Sequence, residues 1–382
     1  MRLTAVIPAT DGPPGLDRVR AAIEAAEEPP EEVIVVDLPE RSGPAAARNS
    51  AAREASGDVL VFVDSDVIVR PDAFRRIRLA FVEDPALAAV FGSYDDTPEC
   101  RDLVSSFRNL LHHHVHQRAA GPAVTFWAGL GAMRRDLFLA VGGFDSNRFG
   151  RPAIEDVELG LRISANGSAI RLDPELQGTH IKRWSLPQMI RTDLLHRGVP
   201  WVGLLLRRRT APATLSVSWR DRLSACSAVS APTFAALGRL LPALAALAAL
   251  AALNLSLYRL VLRRRGPLAA IAALPLHLVH LLTAVAAVPV GTAAHVRELA
   301  LWRRTLALAE PGPGEGPGRG PGSVTIPAAV ASEPATTSGT LRASPRGRTS
   351  EPLPAARQRP AGASASARAA SAARGLSSAR TR

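Results

Sequence analysis

The sequence predicts an α/β domain built on a mainly parallel sheet, followed by a hydrophobic helical region and a tail that holds no core. Three observations lead there. Short apolar, β-branched runs alternate with helically spaced segments as far as about residue 200. Alanine and leucine then dominate from residue 223 onward, in a chain that is 47% hydrophobic yet only 4% aromatic. The last stretch is rich in Pro, Gly, Ser, Thr and Arg, a mixture unable to bury a core. The 382 residues therefore divide into 1–222, the α/β domain; 223–305, membrane-associated helices; and 306–382, a disordered tail.

Each element has its own signal. Residues 3–7 form an apolar strand ended by Pro8, and 16–26 carry helical spacing through Leu16, Val19, Ile23 and Ala26. The run EVIVVD, ending at Asp37, is a second strand, and 44–55 a helix closed by Gly57. Residues 59–63 make a third strand and run into Asp64-Ser65-Asp66. Strands that are apolar throughout and alternate with helices belong to a sheet covered on both faces, with ligands at the carboxyl ends of the strands. Asp37, Asp64 and Asp66 are therefore expected at one edge. Further along, 87–93 reads as a strand, 101–118 as a helix, 124–131 as an extended Gly-rich segment, and 134–141 as a short helix before Gly142-Gly143-Phe144-Asp145. Residues 154–165 are a helix opening on Glu155-Asp156, 169–172 a short strand, and 186–196 an amphipathic helix.

The apolar run 223–262 is too long for one crossing of about 20 residues, and a tight two-helix hairpin accommodates it. Arg222 before it and Arg259, Arg263, Arg264 and Arg265 after it suit a hairpin with both flanks cytosolic. A second apolar segment, 267–292, contains Pro275, His277 and His280, and spans, re-enters or lies at the interface. No signal-peptide pattern precedes Pro8. The expectation is a multi-pass protein of the cell membrane with its amino-terminal domain cytoplasmic.

The formal charge of +12 does not point to a specific nucleic-acid partner. Ten arginines against four glutamates in 310–382 account for half of it, and Lys182 is the only lysine. Such a distribution suits anionic lipid and phosphate-bearing ligands. Cys100 and Cys226 fall in different segments, which excludes a disulfide scaffold or a zinc finger.

Two carboxylates one residue apart, directly after a buried strand, can hold a hard divalent cation such as Mn²⁺ or Mg²⁺, and such a cation neutralises a diphosphate leaving group. Taken alone, Asp64-Ser65-Asp66 is also a common solvated turn. Its neighbours decide. The chain has, in order, Val6-Ile7-Pro8, EVIVVD ending at Asp37, Ala47-Arg48-Asn49, Gly57-Asp58, VFVDSD ending at Asp66, Pro71-Asp72, Trp127-Ala128-Gly129, Gly142-Gly143-Phe144-Asp145 and Glu155-Asp156. This succession, over roughly residues 1–200, resembles the family 2 glycosyltransferases, which have a GT-A fold and use nucleotide-diphosphate sugars.

The resemblance implies a metal-dependent, hexosyltransferase-like enzyme. It places Pro8 and Asp37 in the nucleotide pocket, bordered by Arg48 and Asn49, and gives Asp64 and Asp66 the metal and diphosphate. It makes Asp156 the base that deprotonates the acceptor hydroxyl in an inverting transfer, with Glu155 orienting it or touching the acceptor. His180, with Lys182 or Arg183, falls near the diphosphate, and Trp127 and Gly129 fall on the acceptor side. The implied partners are a nucleotide-sugar donor, UDP-sugars foremost, and a lipid-linked or saccharide acceptor. The chain departs from the family pattern at Ala9-Thr10 after Pro8, at Leu38, in the short spacing from Asp37 to Ala47, and at His180 where processive synthases have the Gln of Q-x-x-R-W. His112 and His116 share a helix face but lack a zinc-type third ligand, and read as packing or acceptor-facing. Two alternatives of another class are a non-catalytic membrane-bound nucleotide-sugar-binding or scaffold protein, and a basic-tail module that binds anionic lipid or nucleic acid.

Overall fold

The computed structural model describes residues 1–9, 13–37, 43–208 and 218–309, the last seven of these by backbone alone. The chain divides into Met1–Pro313 and Gly314–Arg382, and the second unit, like Thr10, Leu38 and the tail expected to be disordered, lies outside the described residues.

The strands are β1 (Leu3–Pro8), β2 (Glu32–Val36), β3 (Val59–Val63), β4 (Val67–Val69), β5 (Leu87–Tyr94), β6 (Gly121–Ala123), β7 (Leu130–Arg134) and β8 (Ala169–His180). Between them run α1 (Leu16–Glu24), α2 (Gly43–Glu54), α3 (Ala73–Glu83), α4 (Leu103–Arg118), α5 (Arg135–Ala140) and α6 (Glu155–Ala165). They form one mixed sheet in the order β2-β1-β3-β7-β5-β8-β4, with β6 added to β8. β1, β2, β3, β5 and β8 point the same way, and β7 is inserted antiparallel between β3 and β5.

The pleat explains why apolar runs such as VLVFV are needed, since successive side chains go to opposite faces and both faces are covered. Val61 and Val63 pack with Val19, Ile23, Phe74 and Ile77 of α1 and α3. Leu60 and Phe62 face Ala51, Ala52, Phe138 and Leu159 of α2, α5 and α6. Phe62 also meets the rings of Phe126, Phe138 and Phe144, with centroids 6.2, 5.4 and 5.3 Å away.

Three strand assignments differ from the sequence expectation, the first being β6, which lies just before the extended segment expected at 124–131. β8 runs on to His180, well past 172, because the Asp173-Pro174 step that looks like an end is a register shift between Phe91 and Ser93. Arg76 of α3 holds Asp173 at 2.9 Å across that irregularity. β4, which immediately follows Asp66, is a three-residue strand too short to leave a pattern. β5 and β8 approach closely at Gly92, where an added Cβ would lie 1.9 Å from the Leu176 carbonyl oxygen. Gly92→Ala is therefore expected to lower stability by about 1–3 kcal/mol, measured by thermal unfolding in detergent.

Beyond the sheet come α7 (Leu186–Arg191), a π-helical segment (Thr192–Gly198) and α8 (Val199–Arg208). Then follow α9 (Trp219–Ala236), α10 (Leu240–Leu253) and α11 (Leu255–Ala309). α9 and α10 are an antiparallel hairpin: the Arg220 guanidinium at the start of one donates to the Leu253 carbonyl at the end of the other, at 2.7 Å. The hairpin was expected over 223–262, but it closes at Leu253, and α10 with its 14 residues rises only about 21 Å against a hydrocarbon core of about 30 Å.

α11 is two helical arms. Gly266 breaks it with φ 82°, left-handed backbone open to glycine. The Tyr258 hydroxyl lies 2.9 Å from His277 Nδ1, 19 residues on, where a straight helix would separate them by about 28 Å. The arms are therefore folded back on each other. Leu257, Leu260 and Val261 from one and Ala273 from the other pack on Phe107 and Leu110 of α4. Asp193 ties the same layers together, taking Arg108 of α4 at 2.6 Å and His280 of α11 at 2.8 Å. Among the described residues one stretch, Leu255–Trp302, is helical and apolar enough to cross a membrane, with mean hydropathy 2.0 and 22% of its most apolar part buried in the protein, and since Gly266 divides it, the arm that follows Gly266 is the one long enough to span.

Candidate active site

Three carboxylates, Asp64, Glu155 and Asp156, gather around one buried guanidinium, and Asp66 stands next to Asp64. β3 delivers Asp64 to the sheet edge, where its N–H donates to the Gly129 carbonyl (3.0 Å) and its own carbonyl accepts from Val67 N–H (3.0 Å). α6 begins with Glu155 and Asp156. Arg48, on α2 and 4% exposed, spans the two groups. Its Nη2 donates to Asp64 Oδ1 at 2.6 Å and its Nη1 to Glu155 Oε1 at 3.0 Å.

The electrostatics follow from this crowding. Burial lowers Arg48, but the charges of Asp64, Glu155 and Asp156 outweigh it and hold the guanidinium above its ordinary value. Burial pushes Asp64 up, as does the Asp66 charge, and Arg48 offsets only part of this. Asp66 goes the other way. Although burial raises it, His180 at 3.6 Å and Lys182 at 4.0 Å keep it below the usual carboxylate range. Asp156 is pushed up to about 6 by burial and then by Glu155. Its Oδ2 accepts from Ala128 N–H (3.1 Å) and its Oδ1 from Val157 N–H (2.8 Å), so the Trp127-Ala128-Gly129 loop and the carboxylate hold each other in place.

An aromatic wall stands beside the aspartates. Tyr94, at the end of β5, stacks on His180 (4.3 Å between centroids, 11° between planes) and meets Trp127 edge-on at 5.0 Å. Burial and then the Asp66 and Asp64 charges raise its hydroxyl well above the ordinary value. His112 lies 4.2 Å from the Tyr94 ring and 4.7 Å from that of Trp127, and burial and His116 hold it well below its ordinary value. His113 and His116 face the carbonyls of Tyr94 and Gly92, each at 2.8 Å. The histidine cluster therefore braces the wall. Tyr94 was absent from the sequence reading, although its place at a strand's carboxyl end was the available signal.

Not every expected residue touches the Arg48 cluster. Pro8 is buried at the end of β1, in register with Val36, which puts it beside Asp37 at the sheet edge, where Asp37 is exposed. Both ends of the Asn49 amide are used by the Phe144 backbone, at 2.8 and 2.9 Å. The Arg183 side chain is 80% exposed and lies 3.5 Å from Asp102, not at Asp64 or Asp66. Gly129 has a steric role, since a Cβ there would enter the Trp127 ring at 2.3 Å.

Among the described residues no three His, Cys, Asp or Glu side chains form a metal-holding group. The pair Asp64 and Asp66 still fits a small hard cation, which is held by one or two carboxylates and takes its other ligands from water and phosphate.

No curated protein matches the chain in sequence. Solved structures similar to it include a mannosyltransferase from Pyrobaculum calidifontis in complex with GDP-Man and Mn²⁺, at 19% identity and TM-score 0.44, covering 75% of this chain and 86% of that one. Another is GalNAc-T7 with UDP, GalNAc and Mn²⁺, at 15% identity and TM-score 0.37, covering 48% and 44%. A third is glucosyl-3-phosphoglycerate synthase from Mycobacterium tuberculosis in complex with Mn²⁺, UDP-glucose and glycerol 3-phosphate, at 17% identity and TM-score 0.35, covering 56% and 82%. In sequence, residues 5–142, from β1 to the glycine turn after α5, match the model of Glycosyl transferase family 2.

Proposed function

We propose that the protein is an inverting glycosyltransferase that moves a sugar from a nucleotide-diphosphate sugar to an acceptor hydroxyl at a membrane. One observation carries this reading. Arg48 joins Asp64, at the end of β3, to Glu155, at the start of α6, so that a carboxylate pair suited to a diphosphate and a separate carboxylate suited to a base share one site.

Asp64 and Asp66 would hold a divalent cation, which supplies charge neutralisation for the departing diphosphate. Asp156 takes the proton of the acceptor hydroxyl. The acceptor oxygen forms its bond to the anomeric carbon as the bond from that carbon to the diphosphate oxygen breaks. The nucleoside diphosphate leaves with the electron pair, and attack opposite to it inverts the configuration. Lys182, 4.0 Å from Asp66, adds positive charge on the diphosphate side. Trp127 offers a ring face to a sugar. The apolar stretch Leu255–Trp302 supports a membrane location, and a lipid-linked or membrane-proximal acceptor would suit it.

A base works best with a pKa near the operating pH, and a value of about 6 suits that role. Below about pH 6 the Asp156 carboxyl keeps its proton and cannot accept another. We therefore expect kcat/KM to rise about tenfold per pH unit up to a bend near 6 and to level off above it. A bend near the ordinary carboxylate value of about 4 would assign the base to another group.

The primary test is nucleoside diphosphate release by the detergent-purified full chain from UDP-, GDP- and dTDP-sugars, with Mn²⁺ or Mg²⁺ and with EDTA. Release that needs the metal supports the reading and names the donor. Failure of every donor to bind removes it.

A further inference from the structure

A cavity of about 630 Å³ lies away from Asp64 and Asp66, where the loop before α6 meets the helices that follow the sheet. Its charged lining is Arg148, Arg151, Arg191, Arg207 and His196, with Glu298 of α11 as the one acid. Glu298 is already engaged, 2.8 Å from Arg207 and 3.9 Å from His295. Arg148, Arg151 and Arg191 have no acidic partner among the described residues. Arg207 Nε is buried without a hydrogen-bond acceptor. Burial, and then the charge of Arg148, pull Arg207 below its ordinary value, as expected where like charges face one cavity.

Self-repelling guanidinium groups with idle donors make a site for a multiply charged oxyanion. Phosphate and diphosphate match the guanidinium fork with two parallel hydrogen bonds, and they carry the two or more negative charges that a lone carboxylate lacks. Location narrows the source. Pro152 and Ala153 line the cavity, and Ala153 N–H donates to Glu155 Oε2 at 2.9 Å, so the wall runs directly into the Glu155-Asp156 pair. A base must approach the sugar from the side opposite the leaving diphosphate, so a cavity on the side of the base belongs to the acceptor. Its far wall is the helix that is long and apolar enough to cross a membrane.

We propose that this cavity binds a phosphate or diphosphate group of the acceptor and anchors it while a hydroxyl of the same molecule reaches Asp156. The acceptor part of this inference rests on the glycosyltransferase reading, whereas the anion site stands on its own geometry.

The test uses the full chain in detergent with EDTA and inorganic pyrophosphate as the probe, followed by isothermal titration calorimetry. Arg148→Gln combined with Arg191→Gln removes two exposed side chains and should leave the melting temperature unchanged. It is expected to weaken pyrophosphate binding at least about tenfold. Displacement of pyrophosphate by short-chain phosphatidic acid assigns the site to a membrane-borne phosphate, and displacement by glucose 1-phosphate alone assigns it to a soluble one. Absence of pyrophosphate binding, or equal binding by the double variant, overturns the proposal. Pyrophosphate binding retained in a chain that binds no nucleotide-sugar donor keeps the anion site and removes the acceptor role together with the glycosyltransferase reading.

Discussion

Asp156→Asn is expected to lower kcat by about 10²–10⁴-fold, the usual contribution of a positioned general base, and to leave donor affinity within about twofold. The amide keeps the size of the carboxylate and can still accept a hydrogen bond from Ala128 N–H, so the Trp127–Gly129 loop stays in place. What disappears is the proton acceptor. Because the change leaves Arg48, Asp64 and Asp66 untouched, the loss should fall on kcat and not on donor binding. Donor affinity by titration and kcat by nucleotide release separate the two. Glu155→Gln is a poor substitute for this test, since it also removes one of the two acids held by Arg48. Undiminished turnover by Asp156→Asn would show that the hydroxyl proton goes elsewhere.

Arg48→Met is expected to destabilise the domain by about 3–5 kcal/mol. Arg48 is 4% exposed, and its loss leaves Asp64, Glu155 and Asp156 without the cation they surround. Breaking one side of a buried ion pair costs far more than removing both sides. Arg48→Met should therefore be rescued in large part by adding Asp64→Asn and Glu155→Gln, a coupling that a triple-mutant cycle reads. Arg48→Lys should recover little, because a single ammonium cannot reproduce two parallel guanidinium arms directed at carboxylates of different elements. Thermal unfolding in detergent gives all of these values. A loss smaller than about 1 kcal/mol for Arg48→Met would mean that water or a bound cation replaces it readily.

Much of the domain was legible because its signals are local. The runs LTAVIP, EVIVV and VLVFV became β1, β2 and β3, since an unbroken apolar segment of that length fits a sheet covered on both faces. α6 opens at Glu155 as its sequence indicated, with carboxylates in the first turn, where the helix end favours negative charge. The missed parts have local signals that mislead. Pro174 looks like the end of β8 but sits in a bulge within it. The unbroken apolarity of 223–262 conceals a turn between α9 and α10 and a hairpin too short for two full crossings. The apolar runs 223–262 and 267–292 read as separate segments in the sequence, but only the contact between Tyr258 and His277 shows that the chain reverses at Gly266.

The sequence by itself determined which residues end the strands and open the helices, and so placed Asp64, Asp66, Glu155 and Asp156 at the margins of elements whose edges carry chemistry. Composition and periodicity are properties of neighbouring residues, and they survive without the fold. The tertiary structure decided which of these margins meet. Arg48 reaches Asp64, 16 residues away, and Glu155, 107 residues away, and nothing in the spacing of ARN, DSD and ED requires one guanidinium to serve both. The same holds for Tyr94 against His180 and for the arginines of the cavity, which come from the loop before α6, α7 and α8. Ion pairing and stacking act over a few ångströms in space, and only the folded chain brings those distances into being.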